Sequence, residues 1–474
     1  MSIESHYKSD AIIYPSKEFC EQATVNSNAL HEKASKDRLE FWDFQANKLT
    51  WYEKWDKTLQ WDRPFSKWFV NGKLNASYNC VDRHLDYYAT KRAIIWRGEK
   101  GEEITLTYEQ LHIKVCQYAQ MLSVRCNVKK GDRVTLYMPL VPELAIAVLA
   151  CARIGAIHSV VFAGFSAQSL RERIIDSNSK CIITADGGYR RGKIIELKQI
   201  VDSALDSLEL DFVENVLVFK RTNKPVSLTS GRDSYIDELL DISIDDFKPA
   251  YMDSEDPLFI LYTSGTTGKP KGIVHTTGGY LTHAQYSTKA VFDLKDSDVY
   301  WCTADIGWIT GHTYLVYGPL LNAGTVFMYE GTPDYPDNGI FWELIQTYKI
   351  SIFYTAPTAI RLFMKWGEAV LKYYDLSSLR LLGSVGEPIN PEAWMWYYTH
   401  VGNQNCPVVD TWWQTETGGV MITTLPGLDK MKPGFAGKPL PGISASLFSN
   451  EGDEIKKDGG LLSLTEPWPS MARG

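Results

Sequence analysis

The residues Thr263-Ser264-Gly265-Thr266-Thr267-Gly268-Lys269-Pro270-Lys271-Gly272 crowd hydroxyls, glycines and two lysines into one turn. Glycines let backbone N–H groups approach an oxyanion. Hydroxyls donate further hydrogen bonds, and lysine adds charge. The loop therefore suits phosphate. The competing reading is a plain turn, with glycines supplying unusual backbone angles and threonines capping a helix. Four hydroxyl residues in the five positions 263–267 exceed what a turn requires. The Walker pattern is not met, because Gly268-Lys269 is followed by Pro270 where Ser or Thr should stand. The G-x-G-x-x-G pattern is not met either. An apolar strand, "LFILYT", leads in, and "GIVHTTGGY" leads out, which suggests a hydroxyl-rich flap over a triphosphate.

Two other stretches could do chemistry. "GGYRRGK" (Gly187–Lys193) is a basic cluster after the strand pattern "KCIIT". It reads as the opening of a helix, where backbone N–H groups and cations together favour an anion; the alternative is a solvated helix start. "DTWWQTETG" (Asp410–Gly418) places Glu416 between two threonines. Alone, Thr415-Glu416-Thr417 reads as a helix cap with an acid in the first turn, and Trp412-Trp413 as core aromatics.

Together these stretches carry a resemblance. "YTSGTTGKPKG" resembles the phosphate-loop signature of the acyl-adenylate-forming superfamily, a long and specific motif. "DTWWQTETG" is similar to its adenylate motif in the form seen in AMP-forming acetyl-CoA synthetases. "GSVGEPINPEAW" (Gly383–Trp394), "ADIGWITGHTYLVYGPL" (Ala304–Leu320), "PELAIAVLACARIGAIHSVVFAGFS" and the Trp-rich N-terminus are similar to matching segments, so the resemblance covers nearly the whole chain. It implies that acetate and ATP give acetyl-AMP and pyrophosphate, and that coenzyme A then takes the acetyl group and releases AMP. It implies that Thr263, Ser264, Gly265, Thr266, Thr267, Gly268 and Lys269 hold the β- and γ-phosphates. Gly386, Glu387, Pro388, Asp410, Thr411, Trp412, Trp413, Gln414 and Thr415 are the implied nucleotide-binding residues. Adenine would sit against the Gly386–Pro388 turn, Thr415 would donate to the α-phosphate, and Glu416 would be the Mg²⁺ carboxylate.

The implied acetate pocket is Ile309, Thr310, Val385 and Trp413, with the rigid indole rejecting longer chains by clash. Ile309 stands where the resemblance to the acetate-using family members implies Val, and its extra methylene should disfavour propionate further. The implied coenzyme A contacts are Arg190, Arg191, Gly192, Lys193, Thr310 and Asp334. Lys193 stands in place of the usual Arg, losing the bidentate fork, and Asp334 in place of the usual Asn. A ribose-binding Asp, a phosphate-binding Arg and the catalytic Lys of a smaller C-terminal domain are implied beyond "PWPSMAR". The chain ends at "TEPWPSMARG", so it is expected to be the large substrate-binding part, poorly active alone. The rival readings are a propionyl or other short-chain synthetase, and a nucleotide-binding module without catalysis.

Elements must position these residues. From about residue 80, strand, helix and strand patterns alternate: "DRVTLYMPL", then "PELAIAVLACARIG" with Pro142 near its start and Gly155 past its end, then "HSVVF", "SAQSLRERIIDS" with Ser166 as N-cap, and "KCIIT". Short continuous apolar strands between helices indicate parallel sheets covered on both faces. "TVFMYEG", "SIFYTAP" and "LRLLGSVGEP" repeat the pattern, giving a second α/β unit. Ligands in such sheets bind beyond the strand C-terminal ends. The expected fold is α/β, with two αβα subdomains and a small β-barrel-like subdomain. The expected divisions are 1–75, a wrapping segment anchored by large aromatics; 76–420, the AMP-binding domain; and 421–474, the small β subdomain.

At 474 residues the chain is long enough for several cores, and its net charge of -8 argues against a general nucleic-acid or anionic-membrane binder. Eight scattered cysteines form no C-x-x-C, which suits reduced core thiols. The N-terminus lacks a basic region followed by an apolar one, and the longest apolar run is broken by Arg153 and His158. A cytoplasmic protein with small-molecule partners is expected; oligomeric state is not legible.

Overall fold

A computed structural model describes residues 11–206, 210–263, 270–456 and 459–474. In chain order it contains helix α1 (Arg38–Ala46), hairpin β1 (Lys57–Asp62) and β2 (Phe65–Val70), hairpin β3 (Arg92–Gly98) and β4 (Glu103–Thr107), and α2 (Tyr108–Gln120). Next come β5 (Arg133–Tyr137), α3 (Pro142–Ile154), β6 (Ile157–Val160), α4 (Ala167–Ser177), β7 (Cys181–Ala185), and the short strands β8 (Gly188–Arg190) and β9 (Lys193–Ile195). Then follow β10 (Asn215–Phe219), β11 (Asp233–Tyr235), β12 (Pro257–Thr263), β13 (Lys271–Thr276), α5 (Thr277–Val291), β14 (Val299–Cys302), β15 (Thr325–Glu330), β16 (Ile352–Thr355), β17 (Leu381–Val385) and β18 (Val408–Thr411). The last part carries β19 (Ala445–Phe448), β20 (Glu454–Ile455) and β21 (Leu461–Leu464).

These strands make two seven-stranded sheets, ordered β11-β10-β7-β5-β6-β12-β13 and β18-β17-β16-β14-β15-β3-β4. Each is parallel except for one antiparallel edge strand, β13 in the first and β4 in the second. The second sheet is not contiguous in sequence. β3 pairs in parallel with β15, Val326 opposite Ile94, and β4 folds back against β3. Period-two alternation sorts its side chains. Tyr300, Val326, Ile352 and Leu381 belong to a core shared with the first sheet, α3 and α5, while their neighbours Trp301, Phe327, Phe353 and Leu382 face a second core. The last three strands form an open antiparallel sheet, β20-β19-β21, without barrel closure.

Local signals explain the element ends. Pro142 opens α3, and Gly155 closes it at φ 75, where only a residue without Cβ is relaxed. Ser166 caps α4 by accepting from Ser169 N–H. The aromatics near the N-terminus are anchors. Trp42 and Trp68 are fully buried; Trp42 packs edge-on against Tyr286 of α5 and donates to the Gly442 carbonyl at 3.2 Å. All eight cysteines are free. No described helix is long and apolar enough to cross a membrane.

The Arg153 side chain is fully buried, at 0% exposure. Its guanidinium holds both Asp82 oxygens at 2.8 Å. It also lies 3.5 Å from His112 and from Asp246. His112, Cys116 and Asp246 are close enough together to hold a metal ion, but a permanent cation already fills that neighbourhood. Burial alone would push the Asp82 carboxyl up; hydrogen bonds from His112 and Arg153 hold it at about 2. Burial alone would lower His112, which Asp82 and the Cys116 thiol raise to about 9.

The sign of each shift sets a pH window. The Asp82 contribution is complete above its unfolded value of about 4 and is lost as pH falls through about 2. The His112 contribution is complete below about 6.5 and is lost as pH rises through about 9. Urea unfolding should therefore show a plateau between about pH 4 and 6.5 from this cluster. Asp82→Asn should flatten both limbs and cost about 3 kcal/mol at the plateau, because Arg153 is left buried and half-paired.

Candidate functional site

The C-terminal ends of β14, β16, β17 and β18 open onto one cavity of about 490 Å³. Beyond β14 stand Thr303, Asp305, Ile309 and Thr310; beyond β16, Ala356; at the end of β17, Val385 and Gly386; beyond β18, Trp413, Gln414 and Thr415. Parallel strands make this convergence, because every C-terminal end lies on the same edge. The structure thus brings together Ile309, Thr310, Val385, Gly386, Trp413, Gln414 and Thr415, residues more than a hundred positions apart at the extremes. The Trp413 indole stands perpendicular to Tyr314 with ring centroids 5.0 Å apart, so a buried tyrosine fixes its plane.

Other expected residues support the cavity rather than line it. Thr411 donates to the Ser384 carbonyl at 2.8 Å and meets the Tyr354 hydroxyl at 2.7 Å, tying β18 to β17 and β16. Asp410 is buried beside it; burial pushes its carboxyl up to about 7, opposed by the nearby Ser384 hydroxyl and Thr411 N–H. Trp412 holds the chain's course, its N–H donating to the Ile422 carbonyl at 2.9 Å. The Glu387 carboxylate accepts from Thr358 N–H and Oγ1 and pairs with Arg361 at 2.8 Å. Burial alone would raise it; these partners keep it below the usual range. Pro388 is exposed.

Thr415, Glu416 and Thr417 form a turn, not the first turn of a helix. Ser470 Oγ and Trp468 Nε1 both donate to the Thr417 carbonyl, at 2.6 and 2.8 Å, and Ala472 N–H donates to the Glu416 carbonyl at 3.0 Å. His275, on β13, meets the Thr415 carbonyl at 2.7 Å through Nε2. Burial lowers His275 to about 4, so it is neutral and acts as a fixed donor. Gly418 has φ 72, and a Cβ there would lie 2.7 Å from the Ser470 carbonyl oxygen. Neither His275 nor the 468–472 strap was legible in the motifs. The Glu416 side chain is exposed.

The phosphate-loop residues Ser264, Gly265, Thr266, Thr267, Gly268 and Lys269 lie outside the described residues. What is described is the frame. β12 and β13 pair antiparallel with Thr263 opposite Lys271, so the loop joins two antiparallel strands rather than a strand and a helix.

A second cavity of about 290 Å³ lies alongside, lined by Arg190, Gly188, Phe162 and Glu330, and it shares Thr303 and Asp305 with the first. The segment Gly187–Lys193 corrects the expectation of a helix start. β8 and β9 form an antiparallel hairpin with Arg190 opposite Lys193, and the next helix begins at Leu197. Arg191 at φ 51 and Gly192 at φ 74 make a two-residue turn of the kind that matches strand twist. Their N–H groups are already taken by Glu99, whose two oxygens accept at 2.7 and 2.8 Å. The anion at this turn is thus the protein's own carboxylate. The Arg191 guanidinium pairs with Asp334 at 2.8 Å, and Lys193 is exposed. Thr310 lines the first cavity, not this one.

Comparison with known proteins agrees with this architecture. The AMP-binding enzyme family matches residues 81–474, and the acetyl-coenzyme A synthetase N-terminus family matches residues 27–80. The chain belongs to the AMP-binding enzyme family. It is 55% identical over 462 residues to the acetyl-coenzyme A synthetase of Rubrobacter xylanophilus, covering 97% of this chain and 71% of that protein. It is 54% identical over 476 residues to that of Streptomyces avermitilis, covering 100% and 72%, and 52% identical over 465 to that of Chlorobaculum tepidum, covering 97% and 70%. All three of these relatives are acetyl-coenzyme A synthetases.

Gly386 has φ 96, yet nothing lies within 4 Å of a Cβ placed there. Gly386→Ala should therefore cost about 1–2 kcal/mol through backbone strain alone, read as a lower urea midpoint with an unchanged slope.

Proposed function

We propose that this protein activates acetate with ATP and delivers the acetyl group to coenzyme A. A carboxylate repels nucleophiles, and oxide does not leave. Attack of acetate on the α-phosphate of ATP gives acetyl-AMP and pyrophosphate, which supplies a good leaving group. The coenzyme A thiol then displaces AMP. The observation that carries the reading is the first cavity, which the Trp413 indole lines together with Gly386, Gln414 and Thr415 of the nucleotide motifs. Such a site works by holding charged groups in line and excluding water from the anhydride.

Roles follow from position. Val385, Ile309, Thr310 and Trp413 bound the acetyl methyl. Gly386, Glu387 and Pro388, together with Asp410, Thr411, Trp412, Gln414 and Thr415, carry the nucleotide. The loop from Thr263 to Lys269 takes the β- and γ-phosphates and lets go with pyrophosphate. Among the described residues the Glu416 carboxylate has no hydrogen-bond or ion-pair partner. An exposed, unpaired carboxylate within the adenylate motif fits Mg²⁺, which takes one or two protein carboxylates with phosphates and waters. When bound, the ion would screen phosphate charge. Coenzyme A enters by the second cavity, past Arg190, Arg191, Gly192, Lys193 and Asp334. The acidic chain with reduced thiols suits a cytoplasmic protein whose partners are acetate, ATP and coenzyme A.

Calorimetric binding of two alkyl-AMP esters, one with a three-carbon and one with a six-carbon chain, tests the pocket without turnover. The short ester should bind at least about tenfold more tightly, since each unfavourable methylene is worth about 1–3 kcal/mol. Trp413→Gly should erase or invert that preference. Equal binding of both esters by the unaltered protein would remove the indole as the gate.

Asp334→Asn tests the coenzyme A side. The pair it breaks is 59% and 32% exposed, so unfolding should change by less than about 1 kcal/mol. Arg191 is released for an anionic ligand, and coenzyme A should bind about 2- to 5-fold more tightly, measured by calorimetry at fixed ionic strength.

A further inference from the structure

Asp305 is the one acidic side chain that lines both cavities. It follows β14, in the stretch Thr303-Ala304-Asp305-Ile306-Gly307-Trp308. Its Oδ1 accepts from Gly307 N–H at 2.7 Å, and its carbonyl accepts from Trp308 N–H at 3.1 Å, so the turn pins the carboxyl in place. Oδ2 has no hydrogen-bond partner among the described residues, and the side chain stands in the wall that the two cavities share. No cation lies within ion-pair distance among the described residues, although Arg190 lines the same passage. Asp305 is only partly exposed, and a carboxylate withdrawn from water is normally paired. Here one oxygen is left free where two substrate spaces meet.

We propose that Asp305 is the catalytic base that takes the thiol proton of coenzyme A when acetyl-AMP is converted to the thioester. This rests on the function proposed above. The thiol comes through the channel lined by Arg190 and Glu330; the acetyl carbonyl waits in the cavity closed by Trp413. The S–H proton passes to Oδ2. Sulfur attacks the carbonyl carbon, the S–C bond forms, and the bond from that carbon to the phosphate oxygen breaks. AMP leaves with the bonding electron pair, and the proton later passes from Asp305 to water. No oxidant or further reactant is needed.

The surroundings suit the role. Burial pushes the Asp305 carboxyl up to about 6, opposed by the Gly307 N–H and the positive charge of Arg190. The group is therefore ionised near neutrality yet basic enough to accept a proton at useful rate. Glu330 faces the same channel but is engaged by Arg221 at 2.6 Å and by Tyr189 N–H, so it offers no free oxygen of this kind. A purely structural carboxylate would need only Oδ1.

The test separates the two half-reactions in the full-length protein. Acetate-dependent exchange of pyrophosphate into ATP reports adenylation; single turnover of supplied acetyl-AMP with coenzyme A reports thioester formation. Asp305→Asn keeps the Oδ1 acceptor of the turn. It should slow thioester formation at pH 7 about 10²-fold more than it slows exchange. The unaltered protein should level off above about pH 6. The variant should instead gain about tenfold per pH unit until the thiol ionises by itself near about 8.5. Asp305→Glu should recover part of the rate at pH 7. Equal loss in both half-reactions, an unchanged pH profile, or no loss at all would each overturn the assignment. Failure of the unaltered protein to exchange pyrophosphate with acetate present would overturn the functional reading instead.

Discussion

The site depends on one turn, Thr415–Gly418, being held from below. Its carbonyls are the fixed points: Thr415 on His275, Glu416 on Ala472 N–H, Thr417 on Ser470 and Trp468. Each is a backbone acceptor that would cost free energy if buried without a donor. The donors come from an edge strand and from a strap near the end of the chain. His283 steadies that strap in turn, Nδ1 lying 2.6 Å from Ser470 Oγ. Burial keeps His275 and His283 neutral, near about 4, so the scaffold does not titrate where the chemistry runs. With the turn fixed, Trp413 is aimed at the cavity and Glu416 at solvent.

The same turn sets the phosphate loop's frame. His275 lies on β13, and the strand's outer edge pairs with the strap: Val274 N–H donates to Gly474 O, and Arg473 N–H to Val274 O. Arg473 also forks onto Glu255 at 2.8 and 2.9 Å. So the hairpin that carries the hydroxyl-rich loop, the adenylate turn and the strap are one hydrogen-bonded unit. Close approach makes it possible. A Cβ at Gly279, early in α5, would lie 2.1 Å from the Pro469 carbonyl oxygen.

Much of this was legible in sequence, and the illegible part has a common cause. Strand and helix alternation, Pro142, Gly155 and Ser166 are local signals, and each stands where expected. The cavity residues were legible because they follow strands whose C-terminal ends must share an edge. What could not be read depends on distant partners. β3 and β4 complete the second sheet only through pairing with β15, over two hundred residues away. Arg191-Gly192 reads locally as an anion-binding helix start, and only Glu99 shows it to be a closed hairpin turn. His275 and Asp305 are single polar residues in apolar surroundings, with no periodicity to mark them. Asp305 sat inside a recognisable motif, but its place between two cavities is purely three-dimensional.

Charge at the channel follows the same logic of occupied and free groups. The protein is acidic, with net charge -8, yet the second cavity is the route proposed above for coenzyme A, a polyanion. Most cations there are spoken for: Arg221 by Glu330 and Glu102, Arg191 by Asp334, and the turn N–H groups by Glu99. Pairing keeps these groups in place without building a strong general field for nucleic acid. Arg190, which lines the cavity, is an exception. Among the described residues it has no carboxylate partner, and its guanidinium lies 5.8 Å from the Phe162 ring. An unpaired cation held against an aromatic wall attracts an anion at short range, while the acidic surface repels it at long range. Selection at this entrance thus depends on fit within the channel more than on attraction from afar.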